Sequence, residues 1–168
     1  ESPLRDDEVS RKYPLVMTNG RLPYFHHSTL RNVPWLREMY PAPEVWINPA
    51  DAETYGVANG DWIWIESQRG RIRGIANLTQ GIGRGVVYME RYWNPETLDT
   101  PTRGWQEMNV NMLSKSAAPY NDIVGTYTLR GYQVRIYKAE EGAPEGVWLK
   151  PQDFKPWLPE YSDPTPQL

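Results

Sequence analysis

Sixteen prolines and thirteen glycines, spread along 168 residues, constrain this chain more than any other feature. Proline fixes φ and removes a backbone donor, so long helices and long central strands are broken wherever it falls. What remains is short strands, turns and brief helical links. Eight Trp and eleven Tyr supply much of the apolar surface in a chain only 39% hydrophobic, and rings of that size build a core from few residues. The length suits one domain with tails.

The chain contains no cysteine. Disulfides, iron–sulfur ligation, thiolate zinc and a cysteine nucleophile are therefore excluded within it. The two histidines, His26 and His27, are adjacent and have no carboxylate cluster beside them in sequence. A net charge of −3 offers no bulk positive field for nucleic acid or an acidic membrane. No apolar run is long enough to span a bilayer and no signal-peptide core opens the chain; the compartment stays open.

Residues 1–12 are charged and aperiodic and are expected to be a linker, 13–141 the folded body, and 142–168 an extended strap. Within the body, Tyr13–Thr18 is an apolar strand that Asn19-Gly20 is expected to turn. Pro34 opens a short helix through Met39, which Pro41 and Pro43 end. Val45–Ile47 is a strand. Asn48 then caps a helix that has Pro49 at its first position, Asp51 in its first turn and Gly56 past its end. Asp61–Ser67 is a strand with Trp62 and Trp64 on one face and Ile63 and Ile65 on the other, so both faces are expected to be buried. Strands follow at Arg71–Thr79, Val86–Glu90 and Gly131–Lys138, with a long polar loop over 94–120. The pattern is mainly β and describes a small closed or nearly closed barrel, with an open sandwich as the alternative.

Three segments carry groups suited to ligand chemistry. Thr18, Asn19, Gly20 and Arg21, followed by His26, His27 and Ser28, place a planar cation and neutral donors directly after a strand; the other reading is an ordinary surface turn. Asn48 and Asp51 could hold a ring's polar edge at a helix start, or Asp51 could cap its own helix, the commoner use of such a residue. Asn109, Asn111 and Ser114 lie in the long loop, where carboxamides read a heterocycle edge or bond their own backbone. Arg130 precedes the last strand and could face a phosphate or be solvated. Arg73 sits in a strand, where solvent is the default surrounding.

The order TNGR…HHS, INPADAETYGVANGDWIWIESQRGRI, GVVYMERYWNPE, NVNMLS and LRGYQVRIYK resembles the C-terminal molybdopterin-dinucleotide-binding domain of the dimethyl sulfoxide reductase superfamily. The TNGR…HHS and WNPE forms look closest to the branch with thiosulfate and polysulfide reductases and acetylene hydratase. The resemblance covers 13–138 and implies a double-psi β-barrel over a bis-(molybdopterin guanine dinucleotide) cofactor, whose molybdenum or tungsten is held elsewhere in a parent enzyme. Thr18, Gly20 and Arg21 match the family's first cofactor loop, His27 and Ser28 its His-Ser/Thr step, and Asn111, Leu113 and Ser114 its Asn-x-Leu-Thr pattern with Ser for Thr. Arg130 falls where the family often carries a basic residue. The usual Asp-Pro is here Asn121-Asp122. The implied partners are the parent's remaining domains and an iron–sulfur subunit; the other function considered is a stand-alone ligand-binding or interaction module.

Overall fold

The computed structural model describes residues 7–30, 33–91, 93, 105–114, 123–125 and 130–143. Six strands, β1 (Leu15–Gly20), β2 (Glu44–Ile47), β3 (Trp62–Glu66), β4 (Arg71–Leu78), β5 (Val86–Glu90) and β6 (Tyr132–Lys138), close a barrel in the order β1-β5-β2-β4-β3-β6. Closure leaves no strand edge unpaired, and the open sandwich falls away. β1 and β5 are parallel, as are β2 and β4; every other neighbouring pair is antiparallel. Exchanging β1 with β4, β2 with β5 and β3 with β6 leaves each pairing and its direction unchanged. The barrel is therefore two interlocked three-strand halves, a symmetry without any visible repeat in the sequence. It is the double-psi barrel that the resemblance implies.

Alternation explains the core. Inward residues of the six strands, among them Met17, Val45, Ile47, Ile63, Ile65, Ile72, Val87, Met89 and Val134, are fully buried in one cluster. Outside β3 and β4, Trp64 is also buried, beneath the guanidinium groups of Arg71 and Arg73 at 4.1 and 4.7 Å from its ring centre. Both faces of this strand are thus covered, as its sequence requires.

The helices are short. α1 (Asp7–Lys12) replaces part of the expected linker and packs on β6, with Gln133 Nε2 donating to Ser10 Oγ at 2.5 Å. α2 (Pro34–Met39) matches its proline signal. α3 (Pro49–Thr54) is capped by Asn48, whose side chain accepts from the Ala50 amide at 3.1 Å, and Gly56 follows it at φ 65°. Among the described residues, no helix is long and apolar enough to cross a membrane.

Candidate functional site

Strand direction sorts the loops into two mouths. The ends of β1, β5 and β3 and the starts of β2, β4 and β6 share one; α3 and the Asn59-Gly60 turn occupy the other. Of the thirteen expected site residues, all but Asn48 and Asp51 belong to the first mouth or the loops leading from it.

Asn19 and Gly20 do not form the expected turn. Both are in β1, opposite Met89 and Glu90 of parallel β5, and the Gly20 carbonyl accepts from the Arg91 amide at 3.1 Å. Tertiary pairing overrides the local turn preference of Asn-Gly. Gly20 is required for another reason: a Cβ there would lie 2.8 Å from both Cε2 and the hydroxyl of Tyr88. The Asn19 side chain is buried and Thr18 half-buried beside Tyr88, its register partner.

Beyond β1 the loop is anchored by apolar side chains and exposes its polar ones. Leu22 and Phe25 join Leu36, Tyr40, Trp93 and Met108 in a second buried cluster, with edge-on ring contacts among Phe25, Tyr40 and Trp93. Arg21, His26, His27 and Ser28 are exposed. Arg21 reaches His27 Nε2 at 3.4 Å, and His27 adopts a left-handed φ of 56°, uncommon for a residue with a side chain. Desolvation by the loop and the charges of Arg21, His26 and Arg91 hold the His27 imidazole below its ordinary pKa. A neutral ring with Nε2 accepting from Arg21 carries its proton on Nδ1.

Two further arginines attend this end. Arg91 follows β5 as Arg21 follows β1, and Arg130, exposed, precedes Gly131, whose amide donates to the Met17 carbonyl. Arg91 and Arg130 both act on the Tyr88 hydroxyl; burial and the Glu90 charge raise its pKa, and the two arginines oppose that rise. Among the described residues, no carboxylate lies within ion-pairing distance of Arg21 or Arg130.

The third segment folds over the β3–β4 hairpin. Asn109 accepts from the Asn111 amide at 3.0 Å and so caps a 3-10 turn (Val110–Leu113); Val110 and Leu113 enter the barrel core. Ser114, buried, donates to the Asn111 carbonyl at 3.0 Å, and Ser67 donates to the Leu113 carbonyl at 3.0 Å. Asn109 and Ser114 thus shape the loop, and Asn111 presents its exposed carboxamide. Arg73, expected in solvent, is instead buried, bonded to the Glu107 carboxylate and the Gly142 carbonyl. It holds the start of this loop. Residues 121–122 and 144–168 lie outside the described residues.

At the far mouth the acceptors are engaged by protein. Asn48 Nδ2 donates to the Ile82 carbonyl at 3.0 Å, and buried Asp51 accepts from the Gly85 amide at 2.6 Å, with Arg84 at 3.5 Å. Asp51 neither caps its own helix nor faces outward; it ties α3 to the turn before β5. Sequence reasoning did not bring Tyr88 or Arg91 to this mouth, and it placed Arg73 in solvent. The parallel endings TNGR and YMER carried a signal for Arg91, whereas the places of Tyr88 and Arg73 depend on tertiary contacts.

The barrel gathers guanidinium groups, hydroxyls and carboxamides at one mouth, a set able to meet anionic oxygens and ring-edge donors and acceptors. Comparison makes this specific: residues 15–131 match the Molydopterin dinucleotide binding domain, and the chain belongs to that family, within the dimethyl sulfoxide reductase superfamily. A dopamine dehydroxylase of Eggerthella lenta is 44% identical over 139 residues, which are 80% of this chain and 13% of that protein. A dimethyl sulfoxide reductase of Haemophilus influenzae is 40% identical over 81 residues, 48% of this chain and 10% of that protein. The solved acetylene hydratase of Pelobacter acetylenicus superposes with a TM-score of 0.75 at 25% identity, covering 83% of this chain and 21% of that one. The chain thus spans a small part of the relatives it matches.

Proposed function

We propose that this domain completes the binding site of a bis-(molybdopterin guanine dinucleotide) cofactor, carrying molybdenum or tungsten, in a larger oxidoreductase. The observation that carries the reading is the convergence at one mouth of three sequence-distant segments: Thr18–Ser28, Asn109–Ser114 and Arg130. Exposed guanidinium groups at Arg21 and Arg130, with neutral hydroxyls at Thr18, Ser28 and Tyr88, fit a ligand rich in phosphate and ring-edge donors and acceptors.

When bound, the cofactor supplies the redox chemistry at its metal. This chain's residues bind and orient. Arg21 and Arg130 hold anionic groups, and the neutral His27, with Nε2 toward Arg21, keeps that guanidinium aimed. Asn111 presents its carboxamide from a loop that Asn109 and Ser114 hold in shape. Asn19 and Gly20 set the strand end by backbone pairing, while Asn48 and Asp51 tie α3 to the turn before β5 at the opposite mouth. His26, edge-on to His27 at 4.7 Å, supports that ring.

The large exposed apolar side chains also favour a surrounding enzyme. Tyr24, Leu30, Trp35, Met39, Ile123 and Val124 all lie in the stretch after β1 or the one before β6. Apolar groups concentrated around one mouth fit coverage by more protein, which supports the parent's other domains as partners, with an iron–sulfur subunit as a further one. Residues 142–168, with six prolines and four large rings, are proposed to strap across such a surface. The test is cofactor content of the parent holoenzyme. Arg21→Ala should lower the fraction of cofactor retained through purification, and exposed Arg11→Ala on α1, which precedes the start of β1 and so lies away from this mouth, should leave it unchanged. Equal retention in the two variants refutes the placement.

A further inference from the structure

Tyr88 lies on the outer face of β5, half-buried, with its ring against Trp46 of β2 at 4.9 Å between centres and its phenol edge over the Cα of Gly20. That position exists only because residue 20 has no side chain, since a Cβ would meet the phenol at 2.8 Å. Glycine at a paired strand position contributes no side-chain packing, so its presence asks for a reason such as a close approach. Here the approach is that of a hydroxyl to the last residue of β1. Among the described residues this hydroxyl has no hydrogen-bond partner, unlike that of Tyr137, which donates to Glu66 at 2.8 Å, or that of Tyr40, which accepts from the Glu44 amide at 2.9 Å. Its charged surroundings include Arg91 and Arg130 as well as Glu90. A rigid donor, fixed by ring packing beside the end of β1, with the Glu90 carboxylate as well as two arginines acting on it, is suited to an anionic oxygen that the arginines also hold.

We propose that Tyr88 is a ligand-contacting residue of the dinucleotide site, its hydroxyl donating to a phosphate oxygen held by Arg130 and Arg91, and that Gly20 is glycine to admit it. This rests on the cofactor-site reading above and adds to it a residue that the sequence pattern left among the strand positions. Burial keeps the phenol protonated at neutral pH, so it acts as a donor there. The ring pair with Trp46 fixes the hydroxyl's direction, which makes the contact one of geometry as well as charge.

The probe is inorganic pyrophosphate, titrated into the 168-residue chain and followed by the NMR shifts of the Tyr88 and His27 ring protons. Wild-type chain should show saturable shifts at both rings. Tyr88→Phe keeps the ring packing and removes only the hydroxyl; it should weaken binding about tenfold, the scale of losing one hydrogen bond to a charged group. Tyr137→Phe, which removes a hydroxyl engaged on the β3–β6 face, should leave the affinity unchanged. Gly20→Ala should displace the phenol and weaken binding as Tyr88→Phe does, with no additional loss when the two are combined. Wild-type affinity in Tyr88→Phe, with binding otherwise intact, overturns the role of Tyr88 alone. Absence of saturable binding in the wild-type chain overturns the phosphate site at this mouth and the proposal with it.

Discussion

The two mouths of this barrel use the same kinds of residue to opposite ends. At the α3 mouth Asn48, Asp51, Asn59 and Asp61 all bond backbone: Asp51 accepts from Gly85, Asn59 from Leu78 at 2.9 Å and Asp61 from Ala58 at 2.9 Å. At the β1 mouth Arg21, Ser28, Asn111 and Arg130 point into solvent, and large apolar side chains stand exposed around them. A polar residue beside a strand end is a ligand candidate only where the fold has not already filled its bonding capacity. The difference separates an end whose polar groups are spent on the fold from an end whose polar groups are open, the one proposed to bind.

The sharpest way to break this contrast is thermal stability. Asp51→Ala removes a buried acceptor of the half-buried Gly85 amide and should cost about 1–3 kcal/mol, several degrees in melting temperature. Arg130→Ala and Asn111→Ala, both at exposed positions, should stay within about 0.5 kcal/mol of wild type. If Asn111→Ala melts as low as Asp51→Ala, the two mouths are energetically alike and the division fails.

Arg73→Ala comes next, at about 1–3 kcal/mol, because it releases Glu107 and the Gly142 carbonyl and uncovers Trp64. Arg69→Ala, exposed on the same hairpin, should be neutral. Equal melting temperatures for these two variants would return Arg73 to the solvated place its sequence suggested.

How much of this was legible follows from where each signal resides. α3 could be read residue by residue because its cap, its proline and its terminal glycine act within nine residues, 48–56. The strands could be read because alternation in β6 and the tryptophans of β3 report burial locally. The closed barrel gained its double-psi identity from family resemblance, since parallel pairing of β1 with β5 joins residues about seventy positions apart and leaves no local mark. The same non-local pairing drew Asn19-Gly20 into a strand. α1 escaped notice because its support comes from β6, across more than a hundred residues. Asp51 could be read as a capping residue but not as the acceptor for Gly85, whose amide comes from thirty-four positions away.

pH sharpens the account of the barrel wall between the mouths. Burial opposes the Glu66 charge, but hydrogen bonds from Arg135 at 2.8 Å and Tyr137 at 2.8 Å outweigh it, leaving the carboxyl below its ordinary 4.5. A depressed carboxyl contributes stability that is complete above the unfolded pKa and lost as pH falls through the folded one. Wild type should therefore lose stability below about pH 4.5 more steeply than Glu66→Gln, a difference visible in melting curves taken between neutral pH and pH 3. Parallel pH profiles would remove the Arg135–Glu66–Tyr137 network from the account.

The smallest expected effect lies at the β1 mouth and reads its electrostatics directly. Loop desolvation and the neighbouring charges of Arg21, His26 and Arg91 lower the His27 pKa from 6.5. Between the folded and unfolded values the unfolded chain binds the extra proton, so stability rises with pH across that window and is complete above 6.5. His27 is exposed, so the change in melting temperature should be slight, and titration of its ring protons by NMR is the better measure. The midpoint should fall below 6.5 in the wild-type chain and move back toward 6.5 in Arg21→Ala, which removes one repelling cation and the contact at Nε2. A bound phosphate should move it the same way, because an anion beside the ring offsets the arginines and favours the imidazolium. If pyrophosphate leaves the midpoint of the wild-type chain where it was, the anion does not sit between Arg21 and His27, and the binding end of the barrel must be sought nearer Arg130.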